Sequence, residues 1–130
     1  LSSIEIVKQY TNEAVVIGSS SELTQVITNF VNNAVDAMND EGKLWLITKK
    51  SNDKCSISVK DNGSGMDEAT QKKIFDPFFT TKEPGKGTGL GLHVVRKIIE
   101  KHDAELELES NLGEGTTFTI IFPTAKNNSN

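Results

Sequence analysis

The stretch Gly85-Lys86-Gly87-Thr88-Gly89-Leu90-Gly91-Leu92 sets four alternating glycines in seven residues and runs straight into an amphipathic segment. Successive backbone N–H groups at a helix start form a concave anion site, and the helix dipole reinforces it. A flexible linker is also rich in glycine. Here, however, Leu90 and Leu92 stand in register with the apolar face Val95, Ile98 and Ile99 that follows. The stretch therefore reads as a phosphate-binding turn. It is not a P-loop, because the spacing Gly-x-x-x-x-Gly-Lys-Ser/Thr is absent. It is not the dinucleotide fingerprint either, since its glycine spacing differs and no strand directly precedes it.

Upstream, residues 76–90 are rich in Pro, Gly, Thr and Lys and read as one long loop, of a length that is usually functional. Its entrance, Phe75-Asp76-Pro77-Phe78-Phe79-Thr80-Thr81-Lys82, holds three phenylalanines that could anchor a lid. Further back, Leu23, Val26, Ile27, Phe30, Val31, Ala34 and Met38 follow the i, i+3, i+4, i+7 pattern of a helix. Ser19-Ser20-Ser21 offers its N-cap, and Asn39-Asp40-Glu41-Gly42 its stop. Residues 44–49 and 55–60 read as strands of a hairpin turning at Asn52-Asp53, and Asp67 caps a short helix ending near Ile74. The helix after Gly91 stops near His102-Asp103. Leu106 and Leu108, then Phe118, Ile120 and Phe122, mark two last strands around a turn at Asn111 to Gly115. At the start, residues 4–10 and 14–18 read as two short strands. Hairpins with clustered helices predict an α+β fold. The expectation is a two-layer α/β sandwich with a mixed, mostly antiparallel sheet of about five strands. Three main helices cover one face, and the other face is polar and wet.

The 130 residues suit one domain. Its expected extent is residues 1–124, followed by a polar, disordered tail at 125–130. The net charge of -4 argues against a broad basic face for nucleic acid. No apolar run approaches the roughly twenty residues that span a bilayer. The single cysteine, Cys55, alternates with polar residues and reads as a packed strand position. The chain begins at Leu1 without a signal peptide, which reads as a piece of a longer protein.

Two further features carry chemistry. Asn29 and Asn33 share a helix face, with Asn32 nearby. Asparagine is a poor residue for a helix interior, because its amide competes for backbone hydrogen bonds. A solvated face would carry Glu, Lys or Gln instead. Carboxamide oxygens could serve Mg2+, which prefers oxygen and keeps waters and phosphates in its shell. The second feature, Asp61-Asn62-Gly63-Ser64-Gly65-Met66, directly follows a strand. It is either a plain turn or a carboxylate aimed at a ligand that the glycine backbone lets come close. A buried carboxylate accepts from an exocyclic amine and so favours adenine over guanine.

Together these segments resemble the ATPase domain shared by histidine kinases, type II topoisomerases, mismatch-repair MutL proteins and the large heat-shock chaperones. The asparagine helix resembles its N box. Asp61 to Met66, Gly85 to Leu92 and Gly113-Glu114-Gly115-Thr116-Thr117-Phe118 resemble its three glycine boxes. Phe75 to Lys82 resembles the F box of the sensor histidine kinase branch. The match runs from about residue 14 to 123 in the family's order.

The resemblance implies an ATP site. Asp61 would accept from the adenine amine, and Thr116 would hold the adenine edge beside it. Asn33 would be the Mg2+ ligand, with Asn29 supporting metal or phosphate. Gly87, Thr88, Gly89, Leu90 and Gly91 would embrace the phosphates. Asp36, Gly63, Gly65, Met66, Phe79, Thr80, Lys82 and Lys86 would complete the lining. Many members carry a basic residue where this chain has Asp36, so phosphate charge would fall to Mg2+ with Lys82 or Lys86. Glycines usual after the last helix are replaced by Asp103-Ala104; aspartate tolerates the left-handed conformation needed there.

ATP-hydrolysing relatives place a glutamate base where this chain has Asn29, and a carboxamide cannot take water's proton. The implied reaction is transfer of the γ-phosphate to a histidine on a separate dimerisation domain. His93 and His102 read as structural or surface residues, and the acceptor is expected outside this chain. Implied partners are that dimerisation domain, in a homodimer, and a response regulator receiver domain, with neither nucleic acid nor membrane contact. The implied location is cytoplasmic. The alternatives are a regulatory ATP-binding domain that transfers nothing, and an anti-sigma-type protein-serine kinase.

Overall fold

A computed structural model describes residues 3–10, 18–39, 41–51, 53–77, 79 and 91–123. In chain order the elements are β1 (Ser3–Gln9), α1 (Ser20–Met38), β2 (Glu41–Ser51), β3 (Lys54–Asp61), α2 (Glu68–Lys73), α3 (Gly91–Lys101), β4 (Glu105–Asn111) and β5 (Gly115–Pro123). The five strands form one sheet in the order β1-β2-β3-β5-β4. Only β1 pairs parallel to its neighbour; the other three pairings are antiparallel. This is the expected α+β sandwich.

Period-two alternation decides which side of the sheet is covered. Leu44, Cys55, Val59, Phe118, Ile120 and Phe122 are buried and share one face by register. Against them lie Val26, Phe30, Ala34 and Met38 of α1, and Val95, Ile98 and Ile99 of α3. The centre of the contact is aromatic. Phe30 stacks on Phe118 with ring centroids 4.5 Å apart, and Phe75 meets Phe118 edge-on at 6.3 Å.

The helix ends follow local chemistry. Ser19 caps α1, its Oγ accepting the Glu22 N–H at 3.2 Å, and Asn39 closes the helix in the left-handed region at φ 52°. Asp67 caps α2 by accepting the Thr70 N–H at 2.8 Å; the same bond holds its carboxyl below the ordinary carboxylate range. After α3, Asp103 takes φ 55° and lets Ala104 donate back to the Ile99 carbonyl at 3.1 Å. The expected helix stop at Asp103 is therefore met without glycine.

Two expectations change. β2 begins at Glu41 rather than at residue 44, because β1 pairs in parallel with Glu41 to Ile47 and draws the segment into the sheet. The turn signal at residues 39–42 thus shrinks to the helix cap. The open face of the sheet is also less polar than alternation on β3 and β4 suggests. β2 is apolar on both sides, and its Trp45 lies half-buried on the open face. The ammonium groups of Lys43 and Lys60 sit 5.2 and 4.9 Å from the Trp45 ring centre. Of the expected strand at 14–18, residues 14–17 lie outside the described residues, and Gly18 is a bend. The expected tail at 125–130 also lies outside the described residues.

Candidate nucleotide-binding site

β3 ends where β5 begins, so the register sets Asp61 directly opposite Thr116. They are the two buried polar or charged side chains among the described residues, at 5% and 6% exposure. A charge so placed must be solvated by the protein. Asp61 Oδ1 accepts the Gly63 N–H at 2.8 Å. Burial pushes the Asp61 carboxyl above the ordinary range, and hydrogen bonds from the Gly63 and Thr116 backbone only partly oppose it.

The turn after Asp61 is held from three sides. Asn62 imitates the next ladder position: its Oδ1 accepts the Lys43 N–H at 2.9 Å, and its own N–H donates to the Lys43 carbonyl at 3.3 Å. Ser64 N–H donates at 3.1 Å to the Ala37 carbonyl, one of the acceptors left open at the end of α1. Gly113 N–H donates at 2.7 Å to the Ser64 carbonyl, which ties the turn to the β4–β5 hairpin. Two glycines make this packing possible. Gly65, at φ 72°, faces the Asn111 carbonyl, and Gly115, at φ 117°, faces the Asp61 carbonyl; a Cβ at either would overlap those oxygens. The first and third glycine segments thus form one folded unit around Asp61.

Along α1, Asn29, Asn33 and Asp36 follow one another at helical spacing. The two asparagines are half-buried and Asp36 is exposed. Asn29 Nδ2 points at the carbonyl of Gly91, the first residue of α3, at 3.5 Å. The asparagine face therefore borders the place where the Gly85–Leu92 stretch enters its helix. Thr80, Lys82, Lys86, Gly87, Thr88, Gly89 and Leu90 lie outside the described residues, as does Phe78. Phe79 and Phe75 are half-buried against the core, and the Arg96 guanidinium covers the Phe75 ring at 5.6 Å. Met66 also packs on the core.

Three residues around the site escape sequence reasoning. Asn62 and Gln71 carry no signal in the sequence. Ser110 does: it follows Leu106 and Leu108 at the next inward position of β4, where a polar side chain is out of pattern. Both ring nitrogens of His102 are engaged: Nε2 accepts the Ser19 N–H at 3.0 Å and Nδ1 donates to the Ile98 carbonyl at 2.8 Å. His102 links α1 to α3 and is structural. A cavity of about 440 Å³ beside it, lined by Glu22, Lys101 and Phe122 among others, lies at the far end of β5 from Thr116 and shares no residue with the site.

No cluster of three His, Cys, Asp or Glu residues among those described could hold a metal ion. The donors on α1 are neutral carboxamides. Such a set fits Mg2+ only when phosphate oxygens and water supply most of its shell.

Residues 18–126 match the family model described as histidine kinase-, DNA gyrase B-, and HSP90-like ATPase. Sporulation kinase C of Bacillus subtilis (strain 168) is 40% identical over 125 residues, covering 95% of this chain and 29% of that protein. Signal transduction histidine-protein kinase AtoS of Escherichia coli (strain K12) is 43% identical over 122 residues, covering 92% of this chain and 20% of that protein. The chain thus spans less than a third of either relative. Among solved structures, the nucleotide-free catalytic domain of histidine kinase ThkA superposes with a TM-score of 0.81 at 34% identity, over 93% of this chain and 80% of that one. Full-length ShkA in complex with AMPPNP gives 0.81 at 27% identity, over 94% of this chain and 26% of that one.

Proposed function

The chain belongs to the histidine kinase-, DNA gyrase B- and HSP90-like ATPase family, and from that premise we propose that it is the ATP-binding catalytic domain of a sensor histidine kinase. The observation that carries the reading is the buried pair Asp61 and Thr116 side by side at the end of the sheet. Adenine presents an amine donor next to a ring-nitrogen acceptor. A carboxylate beside a hydroxyl answers that edge, with Asp61 accepting and Thr116 donating. Gly63, Gly65 and Met66 wall the base.

From the Asp61 turn, α1 leads back towards the phosphate end. Ala37, Asn33 and Asn29 step along it over roughly 12 Å at 1.5 Å per residue. Asn33 would hold Mg2+, with Asn29 beside it, and Asp36 lies on the same edge. When bound, Mg2+ would supply charge neutralisation to the phosphate oxygens. Gly87 to Gly91 would bind the phosphates, with Lys82 and Lys86 meeting their charge and Phe79 and Thr80 completing the lining.

Asn29 decides the fate of the γ-phosphate. Its carboxamide orients groups without taking a proton, so water is not activated. The phosphoryl group is kept for a histidine brought by a dimerisation domain of the same protein, and a response regulator receives it afterwards. ATP places the domain on the cytoplasmic side of any membrane. No described helix is long and apolar enough to cross one.

The test uses the purified chain. It should bind ATP in titration calorimetry yet neither label itself nor release phosphate from γ-labelled ATP at an appreciable rate. Adding the dimerisation domain of the parent protein should produce an acid-labile, base-stable phosphohistidine. Brisk turnover by the chain alone would refute the kinase reading. ATP binding without any transfer to that domain would favour a regulatory role.

A further inference from the structure

Thr116 carries a hydroxyl and a methyl of almost equal size on the same carbon. Sterics alone cannot decide which of them faces the base; only a polar partner can. That partner is Ser110, opposite it on β4, with the two oxygens 2.8 Å apart. Ser110 Oγ also accepts the Met66 N–H at 2.8 Å and reaches the Gly115 carbonyl at 3.1 Å. One hydroxyl therefore touches both flanks of the Asp61 turn. Gln71 of α2 fixes it in place, directing Nε2 to the Ser110 carbonyl at 3.1 Å and to the Met66 carbonyl at 2.9 Å.

We propose that Ser110, braced by Gln71, is a positioning residue for base recognition that fixes the Thr116 hydroxyl towards the ring nitrogen of adenine. The inference rests on the ATP reading above. Ser110 has one proton and two acceptors within reach, the Gly115 carbonyl and the Thr116 oxygen. An acceptor on the base that takes the Thr116 proton, next to the amine that Asp61 receives, leaves the Thr116 oxygen to accept the Ser110 proton in place of the Gly115 carbonyl. Without Ser110, rotation about the Thr116 side chain can present the methyl instead, and the Met66 N–H loses its acceptor. Ser110 need not touch the nucleotide for this.

The experiment compares ATP with 1-deaza-ATP, which keeps the exocyclic amine but has carbon in place of that ring nitrogen. In the parent chain, titration calorimetry should show ATP binding more tightly than the analogue. Ser110→Ala should weaken ATP about tenfold, the worth of one hydrogen bond, and change 1-deaza-ATP less than twofold. Ser110→Thr, which keeps the hydroxyl, should retain most of the preference. In a Thr116→Val background, Ser110→Ala should cost ATP nothing further, because the two act as one unit. Amide exchange at Met66 without nucleotide should speed up in Ser110→Ala. If alanine unfolds the strand, Ser110→Cys, with its weak donor, should lower the ATP preference in the same way. Equal weakening of both ligands, or unchanged ATP affinity in a folded variant, overturns the proposal. A parent chain that does not bind ATP, or does not distinguish the two ligands, instead overturns the reading of the site beneath it.

Discussion

Replacing Asp61 by asparagine keeps the shape of the side chain and removes its charge, so it separates what the site needs from what the fold needs. The amide oxygen of the variant side chain can still accept the 2.8 Å bond from Gly63. What disappears is the cost of burying a carboxylate that lies 5% exposed, the cause of its raised pKa. Between the ordinary value of 3.8 and the raised native value, the folded parent binds more protons than the unfolded chain. The contribution of Asp61 to stability is therefore fully present below that window, falls as pH rises through it, and stays reduced above. Asp61→Asn lacks this dependence and should melt no lower than the parent at neutral pH. Binding moves the other way. Guanine offers a carbonyl where adenine offers an amine, and two facing acceptors leave a buried group unpaired at about 1–3 kcal/mol. At about 1.4 kcal/mol per decade, the parent should prefer ATP to GTP by about one to two decades. The amide can donate to the guanine carbonyl, so the variant should lose ATP affinity and regain some GTP affinity. Melting curves from acid to neutral pH and calorimetric titrations with both nucleotides measure the two effects. Undiminished ATP binding by Asp61→Asn would show that another residue reads the base. A marked loss of neutral-pH stability would show that the carboxylate is structural.

Asn33→Ala should reduce Mg-dependent ATP affinity far more than affinity for adenosine, measured by calorimetry with and without Mg2+; equal losses would contradict a ligand that meets only the metal. Gly113→Ala, at φ 80° but with nothing within 4 Å of the added methyl, should cost only the backbone strain, about 1–2 kcal/mol in urea unfolding. Gly115→Ala, whose methyl overlaps the Asp61 carbonyl, should cost clearly more and lower ATP affinity as well. Ser19→Ala should lower stability by about 1 kcal/mol through loss of the α1 cap, with ATP affinity unchanged, since that end of the helix is remote from the site.

The helices were legible because their signals are local. The apolar spacing from Leu23 to Met38, the Ser19 cap and the Asp67 cap each need only a few neighbouring residues. Strand cores were legible by alternation, but strand ends were not. The extension of β2 back to Glu41 depends on pairing with β1 across the whole of α1. The open face of the sheet was misjudged for a related reason. Trp45 and Ile47 break the alternation on β2, and their surroundings come from other strands. At the site, Asp61 and the glycines announced themselves because unusual backbone demands unusual residues. Gln71 and Asn62 did not, since a glutamine on a short helix or an asparagine in a turn is unremarkable until its partners arrive. Ser110 lay between these cases, visible as a polar residue at an inward position and meaningful only once Thr116 stands opposite.

The geometry of α1 explains why one helix can serve both core and ligand. Its buried residues Phe30, Ala34 and Met38 recur every four positions. The row Asn29, Asn33, Ala37 is the same row moved back by one residue, which turns it about 100° around the axis. It therefore runs along the margin of the core, half-buried, at the same pitch. Phe30 stacks on Phe118, two residues along β5 from Thr116, while the Ala37 carbonyl receives Ser64 beside Asp61. The contacts that hold the helix on the sheet thus also fix the separation between the base end and the asparagines. Close packing transmits displacement with little give. On the proposed reading, a nucleotide reaching from Asp61 to Asn29 would be measured against a rigid ruler, and its length as well as its base would become part of what the site selects.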